Sequence, residues 1–450
     1  MKYSPYDYQQ RVFNELIAKF KQGIRSQVCQ MVTRSGKSII ATMLIEYFAG
    51  EAIYFVGHTN ILLTQMSDEL VENDIQHGIL APWAPQLKYR VQVISKDTLF
   101  NRVKKMKESG WREPKLIIID EAHVSLSKRY VEILELYPEA LLVGLTATPA
   151  RLDGKGLGSI YEHMVIGPST KDLQKQKKLC PIETFAVDFD DSGMHSRNGD
   201  YINSEVLERV DKPAVLKNLV YWWEKIAKNE KTLTFCASIK HAQDMAQTFT
   251  EAGYPSVAIS SNDGKDGIKD KLNRYYAGEY INLCSVDLFI VGFTVKECSC
   301  IIQARPTQSI VVNLQSIGRG TIYLPGKVLK NIDAVNNYTR FGLPEDDRTW
   351  SLSGTTKKEI ETSKYKKCPE CYHPVAIGSR VCEHCGFSWV EVVDKGSRMP
   401  EEKDGRLIRI QGNNLVLEVA RKAKTLQEAI DIAGSDGQRI WVDVLRNKVS

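Results

Sequence analysis

Three groups of residues in this 450-residue sequence have the types and spacing to do chemistry. The first, Met31-Val32-Thr33-Arg34-Ser35-Gly36-Lys37-Ser38, follows an apolar run and leads into an amphipathic stretch. A strand, a tight loop and a helix start in that order aim backbone N–H groups and a positive dipole end at a phosphate chain. In such a loop Lys37 contacts β- and γ-phosphate oxygens and Ser38 holds Mg²⁺, with Thr33, Arg34, Ser35 and Gly36 forming the cradle. Met31 replaces the first glycine of the general pattern and Arg34 stands where a second is common, so an ordinary strand-to-helix turn competes with this reading. In the second group, the apolar run 116–119 ends in Asp120-Glu121-Ala122-His123. Acids then sit at the C-terminal edge of a buried strand, where α/β proteins bind ligands. Asp120 would position Mg²⁺ through its water shell, and Glu121 would polarise an attacking water as general base. The third group is Cys368-Pro369-Glu370-Cys371, ten residues, then Cys382-Glu383-His384-Cys385. Two such turns bring four thiolates to one ion in a tetrahedral shell, which favours Zn²⁺. His373 and His384 stand by as reserve ligands. Such a ribbon staples a segment too small for its own core. Phe387 and Trp389 beside it either stack on bases or pack against the ribbon.

These residues need elements to position them. From Val28 to Thr146 short β-rich runs alternate with helical patterns, the signature of a parallel α/β sheet. Strands are expected at 28–32, 52–56, 91–94, 116–119 and 141–146, with helices at 38–48, 61–71 and 98–107. The pattern resumes after Lys212, with strands at 233–235, 256–260, 281–285 and 300–304 and helices at 214–228, 238–252 and 308–317. Residues 190–212 are polar and turn-rich, as an exposed connection would be. The expected organisation is a first α/β domain over 1–168, a connecting segment over 169–211, a second α/β domain over 212–345, a cysteine-ribbon region over 346–395 and a small C-terminal region over 396–450 with a helix-like stretch at 426–433. The two α/β halves read as a possible duplication.

Length alone predicts more than one core. The chain is 43% apolar and 26% charged, within the range of globular proteins, which excludes a disordered or collagen-like class. Ten cysteines in so long a chain make no disulfide framework. The beginning, MKYSPYDYQQ, has no apolar signal core, and nowhere do the ~18 consecutive apolar residues of a membrane span occur. A cytoplasmic chain without membrane contact is expected. A net charge of +5 leans only weakly towards polyanionic partners. The lysine-rich run 171–178 reads as a solvated helix face or a phosphate-contacting patch.

The phosphate loop and the Asp-Glu-Ala-His string together resemble the superfamily 2 helicases, ATP-driven nucleic-acid motors with two RecA-like parallel-sheet domains. Further matches follow in that family's order. Tyr8-Gln9 resembles the element in which a glutamine reads the adenine edge. Thr146-Ala147-Thr148-Pro149 resembles the motif that, with His123, couples hydrolysis to domain movement. Ser285-Val286-Asp287 with Gly292-Phe293-Thr294 resembles the fifth motif, and Gln315-Ser316-Ile317-Gly318-Arg319-Gly320 the start of the sixth. The resemblance implies that Gln315 and Arg319 reach ATP from the second domain, Arg319 as an arginine finger. It implies nucleic-acid contacts from His58, Thr59, Thr98, Ser238 and Thr294, with Gly292 near the nucleotide and His241 beside Ser238. One position departs from the family: its second arginine would fall at 322, where this sequence has Ile322, so either Arg319 suffices or an arginine such as Arg340 substitutes. The runs 150–158 and 340–348 look like phage and bacterial motors of the restriction and branch-migration types. The resemblance therefore implies ATP, Mg²⁺ and Zn²⁺ as ligands, branched or partly single-stranded DNA as partner, replication or recombination proteins nearby, a monomer, and the cytoplasm of a bacterium or phage-infected host. Two alternatives stay open: RNA as substrate, and a DNA-binding ATPase acting with a nuclease partner.

Overall fold

The structure, a computed structural model, describes residues 2, 4–149, 156–187, 189–197, 199–286, 296–353 and 364–389. The first sheet holds seven strands: β1 (Ser26–Gln30), β2 (Ile53–Gly57), β3 (His77–Leu80), β4 (Val91–Ser95), β5 (Leu116–Asp120), β6 (Leu141–Thr146) and β7 (His163–Ile166). Their spatial order is β3-β4-β2-β5-β6-β1-β7, and every pairing is parallel. Strands buried on both faces must be apolar at every position, and successive residues must serve opposite cores. Ile53 and Phe55 of β2 and Leu116 and Ile118 of β5 enter one core, while Tyr54, Val56, Ile117 and Ile119 enter the other. Helices α1 (Asp7–Lys21), α2 (Lys37–Tyr47) and α3 (Asn60–Glu72) supply the first core; α4 (Lys96–Glu108) and α5 (Lys128–Glu135) supply the second.

After α6 (Thr170–Lys175) the chain enters the second sheet through β8 (Ile182–Ala186). A small antiparallel pair, β9 (Ser196–Arg197) with β10 (Asp200–Tyr201), follows, then α7 (Asn203–Val210) and α8 (Pro213–Ala227). The remaining strands are β11 (Thr232–Cys236), β12 (Ser256–Ile259), β13 (Asn282–Val286), β14 (Cys300–Gln303) and β15 (Leu329–Asp333). Helices α9 (Ile239–Glu251), α10 (Gly264–Tyr276), α11 (Ile310–Gly318) and α12 (Asn337–Phe341) join or flank them. The order is β12-β13-β11-β14-β15-β8, again all parallel. Trp223, fully buried, anchors one of its two cores. A second antiparallel pair, β16 (Tyr365–Lys367) with β17 (Pro374–Ala376), flanks the first two cysteines of the cluster.

The expected strands lie where the periodicity puts them, within two residues. The expectation of a connecting segment over 169–211 is corrected: β8 lies inside it and pairs with β15 over Leu329↔Ile182 to Asp333↔Ala186. An edge strand such as IETFA faces solvent on part of its surface, so it lacks the continuous apolar run that marks a central strand. β3 and β7, four-residue edge strands broken by polar residues, were missed for the same reason, whereas β15 (LKNID) is an interior strand whose buried Asn331 and Asp333 break its apolar run. The fifth-motif residues Asp287, Gly292 and Thr294, the run 150–155, the region 396–450 and the stretch 426–433 lie outside the described residues. Among the described residues no helix is long and apolar enough to cross a membrane.

Candidate nucleotide site and four-cysteine cluster

The loop after β1 turns sharply into α2. Gly36 caps that helix at φ 85°, and a Cβ there would run into the amide of Gln9. Arg34 also adopts a left-handed φ, 69°, which explains why glycine is common at its place. Gln9 from α1 donates its side-chain N–H to the Ser35 carbonyl at 3.2 Å, and the Tyr8 hydroxyl donates to the same oxygen at 2.9 Å. Lys37 Nζ donates to the Met31 carbonyl at 3.3 Å, folding the lysine back over the loop it serves. Ser38 Oγ donates to Glu69 Oε2 at 3.4 Å.

Opposite this loop stands the end of β5. Asp120 Oδ1 accepts the Glu121 backbone N–H at 2.9 Å, and Glu121 itself sits at φ 52°. Burial, with the Glu121 charge adding and Lys37 opposing, pushes the Asp120 carboxyl up to about 7. Two adjacent, partly exposed carboxylates at a strand end favour a nearby cation. Asp120, beside the Lys37 charge of the phosphate loop, is a carboxylate donor that fits a Mg²⁺ ion.

His123 connects the acids to the end of β6. Its Nδ1 lies 3.4 Å from Glu121 Oε2 and 3.3 Å from Thr146 Oγ1. The Thr146 hydroxyl donates to the Thr148 carbonyl at 3.0 Å and accepts the Thr148 N–H at 3.1 Å. With that proton committed, a hydrogen bond to His123 requires the Nδ1–H tautomer. Burial, reinforced by Lys37, lowers the His123 imidazole to about 4, so the ring is neutral at pH 7. Thr148 is fully buried and its Oγ1 finds no partner.

The second lobe closes on this loop through α11. A Cβ on Gly318 would lie 2.7 Å from the Thr33 side chain, so only glycine lets this helix end approach the phosphate loop so closely. Gln315 and Arg319 are both buried there, at 7% and 9% exposure. Burial lowers the Arg319 guanidinium to about 10, with Arg34 adding and Glu121 opposing. Thus the sites expected from both halves of the sequence meet in one cleft. Arg340, the alternative finger, is corrected. It donates to Asp191 Oδ2 at 2.5 Å, Thr307 O at 3.1 Å, Val335 O at 2.8 Å and Asn337 Oδ1 at 2.7 Å, so its donors are spent on the second lobe's own structure.

The expected nucleic-acid residues fall into two kinds. Thr59 caps α3, its hydroxyl accepting the Leu62 N–H at 3.3 Å, and Ser238 caps α9, accepting the His241 N–H at 3.0 Å. Both sit at the C-terminal edge of a sheet beside a helix N-terminus. His58 is exposed next to Thr59. Thr98 and His241, by contrast, are buried at 5% and 0% exposure. His241 Nδ1 accepts the Ala237 N–H at 3.2 Å, which makes it a packing residue. In the lysine run, Lys178 lies over the Tyr6 ring at 3.4 Å and Lys171 pairs with Asp347 at 3.7 Å.

Cys368, Cys371, Cys382 and Cys385 gather with their sulfurs within 4.8 Å of one another; Cys368–Cys385 and Cys371–Cys382 are 3.6 Å apart. A tetrahedral site with Zn–S bonds of about 2.3 Å has edges of about 3.8 Å, so the cluster fits Zn²⁺. His373 and His384 are not needed as ligands. They stack on each other at 4.8 Å and both present edges to Phe185 of β8. The Ala186 N–H of β8 donates to the Tyr372 carbonyl at 2.9 Å, tying the cluster to the second sheet's edge. The Phe387 and Trp389 rings meet edge to face at 5.2 Å. Phe185 and Tyr372 were missed by sequence reasoning; nothing in their spacing marks them.

Two RecA-like parallel-sheet domains with a phosphate loop in one, and an arginine from the other at its mouth, define a nucleotide-cleft ATPase. The sequence model of the type III restriction enzyme res subunit family matches residues 2–151, and that of the helicase conserved C-terminal domain matches residues 211–321. A Lactococcus phage protein named 51.5 kDa protein is 28% identical over 382 residues, covering 83% of this chain and 80% of the phage protein. The Saccharomyces cerevisiae protein named as ATP-dependent helicase IRC3 is 25% identical over 344 residues, covering 70% of this chain and 49% of its own length. Among solved structures, a fragment assigned to the HsdR subunit of a type I restriction enzyme from Vibrio vulnificus YJ016 shares the fold with a TM-score of 0.59 at 22% identity, covering 76% of this chain and 66% of the fragment. The chain is a superfamily 2 helicase, a nucleic-acid-dependent ATPase. It spans most of the phage relative and about half of the yeast one.

Proposed function

We propose that this protein is an ATP-driven DNA motor that remodels branched or partly single-stranded DNA in replication, recombination or repair. The observation that carries the reading is the contact of Gly318 with Thr33, which brings Arg319 of one lobe to the phosphate loop of the other. Lys37 and the loop N–H groups hold the β- and γ-phosphates. Ser38 and Asp120 would hold a Mg²⁺ ion, which would neutralise charge on the phosphate oxygens. Glu121 takes the proton of the attacking water as the new O–P bond forms and the bond from γ-phosphorus to the ADP oxygen breaks. Arg319 neutralises charge on the transferred group, so hydrolysis needs the closed cleft. His123 and Thr146 pass the state of the acids to the end of β6. Thr59 and Ser238, one cap in each lobe, hold successive phosphates of a DNA strand, so a change in lobe spacing moves the strand. The four cysteines would hold one Zn²⁺, which would staple the segment to the β8 edge. Resemblance gives 3′ to 5′ stepping, the polarity in the name of the Sulfurisphaera tokodaii translocase XPB2, which is 25% identical over 372 residues.

A second reading, a motor subunit working with a nuclease partner, is favoured by the likeness to the Escherichia coli type I restriction enzyme EcoAI endonuclease subunit, 23% identical over 362 residues. The test is ATP turnover without nucleic acid and with single-stranded DNA, a fork, a four-way junction, linear duplex and RNA. Strongest stimulation by forks or junctions is expected. Stimulation by RNA alone overturns a DNA substrate, and a preference for linear duplex favours the restriction-type motor.

A further inference from the structure

The loop that joins β3 to β4, residues 81–90, carries a tryptophan that neither the core nor the mechanism above uses. Trp83 is 45% exposed, and among the described residues no other tryptophan is as open to solvent. Its indole N–H donates to Asn60 Oδ1 at 2.9 Å, so its one polar atom is spent and the exposed remainder is apolar ring. Asn60 is the first residue of α3, directly after Thr59, whose hydroxyl caps that helix by accepting the Leu62 N–H. The ring is therefore fixed beside the helix N-terminus to which the proposed mechanism gives a DNA phosphate. α3 has no acid in its first turn, so no charge there opposes an anion. Topology gathers neighbouring strand ends at this edge. β3, β4 and β2 lie side by side and parallel, with Leu80 in register with Ile94 and Gly57 with Ser95. The chain thus leaves β3 towards Trp83 at the same edge where it leaves β2 through His58 and Thr59. The loop is also stiff around the ring: Pro82 and Pro85 fix their own φ, and Ala84 packs against the first core. The loop's other exposed apolar residues, Leu87 and Tyr89, lie where the chain returns towards the start of β4, their carbonyls each accepting the Gln92 amide at 2.9 Å.

We propose that Trp83 is a stacking platform for one unpaired base of single-stranded DNA, while Thr59 and the N-terminus of α3 hold an adjacent phosphate of the same strand. An exposed apolar ring beside a helix end that suits an anion matches the two halves of a nucleotide: the ring takes the π-face that every base offers, and the helix end takes the backbone. A protein partner would use the ring and leave the helix end idle. Duplex DNA stacks its bases on one another, so the platform selects a strand that is already open. Because the indole is held by Asn60 and the backbone by two prolines, little conformational freedom is lost when a base arrives.

The proposal rests on the DNA-motor reading, and two DNA strands keep the two apart. The full chain, Trp83→Ala and Trp83→Phe are titrated by fluorescence anisotropy with a labelled single strand and with a strand of equal length built on abasic sugars, which keeps every phosphate and lacks the bases. Trp83→Ala should bind the ordinary strand about tenfold more weakly than wild type, and Trp83→Phe should recover most of that loss. On the abasic strand the difference between wild type and Trp83→Ala should vanish. The slope of log affinity against log salt should be the same in all three proteins, since no phosphate contact is removed. An equal loss on both strands overturns the proposal, because it marks Trp83 as a support of the fold. Full affinity in a folded Trp83→Ala protein overturns it too and leaves the ring to a partner other than DNA. So does wild type that binds the abasic strand as tightly as the ordinary one, a result that needs no variant. Wild type that binds neither strand overturns the DNA-motor reading itself.

Discussion

The two lobes share one core: β3-β4-β2-β5-β6 in the first and β12-β13-β11-β14-β15 in the second are the same order of five parallel strands, counted along the chain. Each lobe then adds a strand beside the last of the five, β1 in the first and β8 in the second. From there they diverge. β1 runs into the phosphate loop and is covered on its outer edge by β7, whereas β8 ends at Ala186, where the Tyr372 carbonyl of the four-cysteine segment accepts its N–H. The end of β5 carries Asp120 and Glu121. The end of its counterpart β14 carries Gln303, whose amide donates to Asn313 Oδ1 at 2.6 Å and Ser316 Oγ at 3.3 Å. Where the lobes agree, after β2 and β11, each has a hydroxyl cap, Thr59 and Ser238. A common scaffold thus leaves function to the residues at strand ends: in the proposed mechanism hydrolysis belongs to one lobe while the other delivers Arg319, and that second lobe also seats the cysteine cluster.

The sharpest break of that asymmetry is Glu121→Gln. It should cut nucleic-acid-stimulated ATP turnover by about 10³-fold while nucleotide binding, read by equilibrium titration, persists. Next, Arg319→Ala should lower kcat by about 10³-fold, because the finger is the second lobe's direct part in hydrolysis. Arg340→Ala should leave kcat per folded molecule within about threefold and instead cost roughly 2–4 kcal/mol of stability in denaturant melts, since it strips an ion pair and several hydrogen bonds. Similar kcat losses in both variants would erase the distinction between them.

Removing the metal tests the β8 edge. The purified chain should release about one Zn²⁺ to a chromophoric chelator after thiol modification, and Cys371→Ser should lower the Tm by roughly 5–10 °C through loss of a folding-coupled ion. An unchanged Tm would mean that the cluster staples nothing.

The smallest effect concerns pH. Burial lowers His241 to about 4, while in an unfolded chain it titrates near 6.5. The unfolded state therefore binds a proton first as pH falls. The stability this neutral ring contributes is complete above about pH 6.5 and is lost progressively down to about pH 4, by at most about 3 kcal/mol. His241→Asn should flatten the melt-versus-pH profile across that window, and an unaltered profile would remove His241 from the account of acid sensitivity.

Much of the site was legible along the chain because its elements are local. A phosphate loop needs a strand, a turn and a helix start within a dozen residues, and the acid string needs only the end of one apolar run. The cysteine spacing likewise encodes its own cluster. β7 and β8 were not legible, because neither has a continuous apolar run of its own and their partners are remote in sequence: His163 registers with Gln27, and Ile182 with Leu329.

What the sequence by itself determined is the chemistry of each group: a cation and hydroxyl suited to phosphates, an acid pair at a strand end, four thiolates, and apolar periods that must form parallel sheets. Tertiary structure alone decided which of them meet. It brought the Gly318 end of α11 to Thr33, spent Arg340 on Asp191 and Thr307, buried Thr98 and His241, and set the cysteine cluster on β8 through Tyr372 and Phe185. The physical reason is that spacing records only near neighbours. Packing of sheets and helices sets the rest, and it depends on the shape and desolvation of residues scattered along the whole chain.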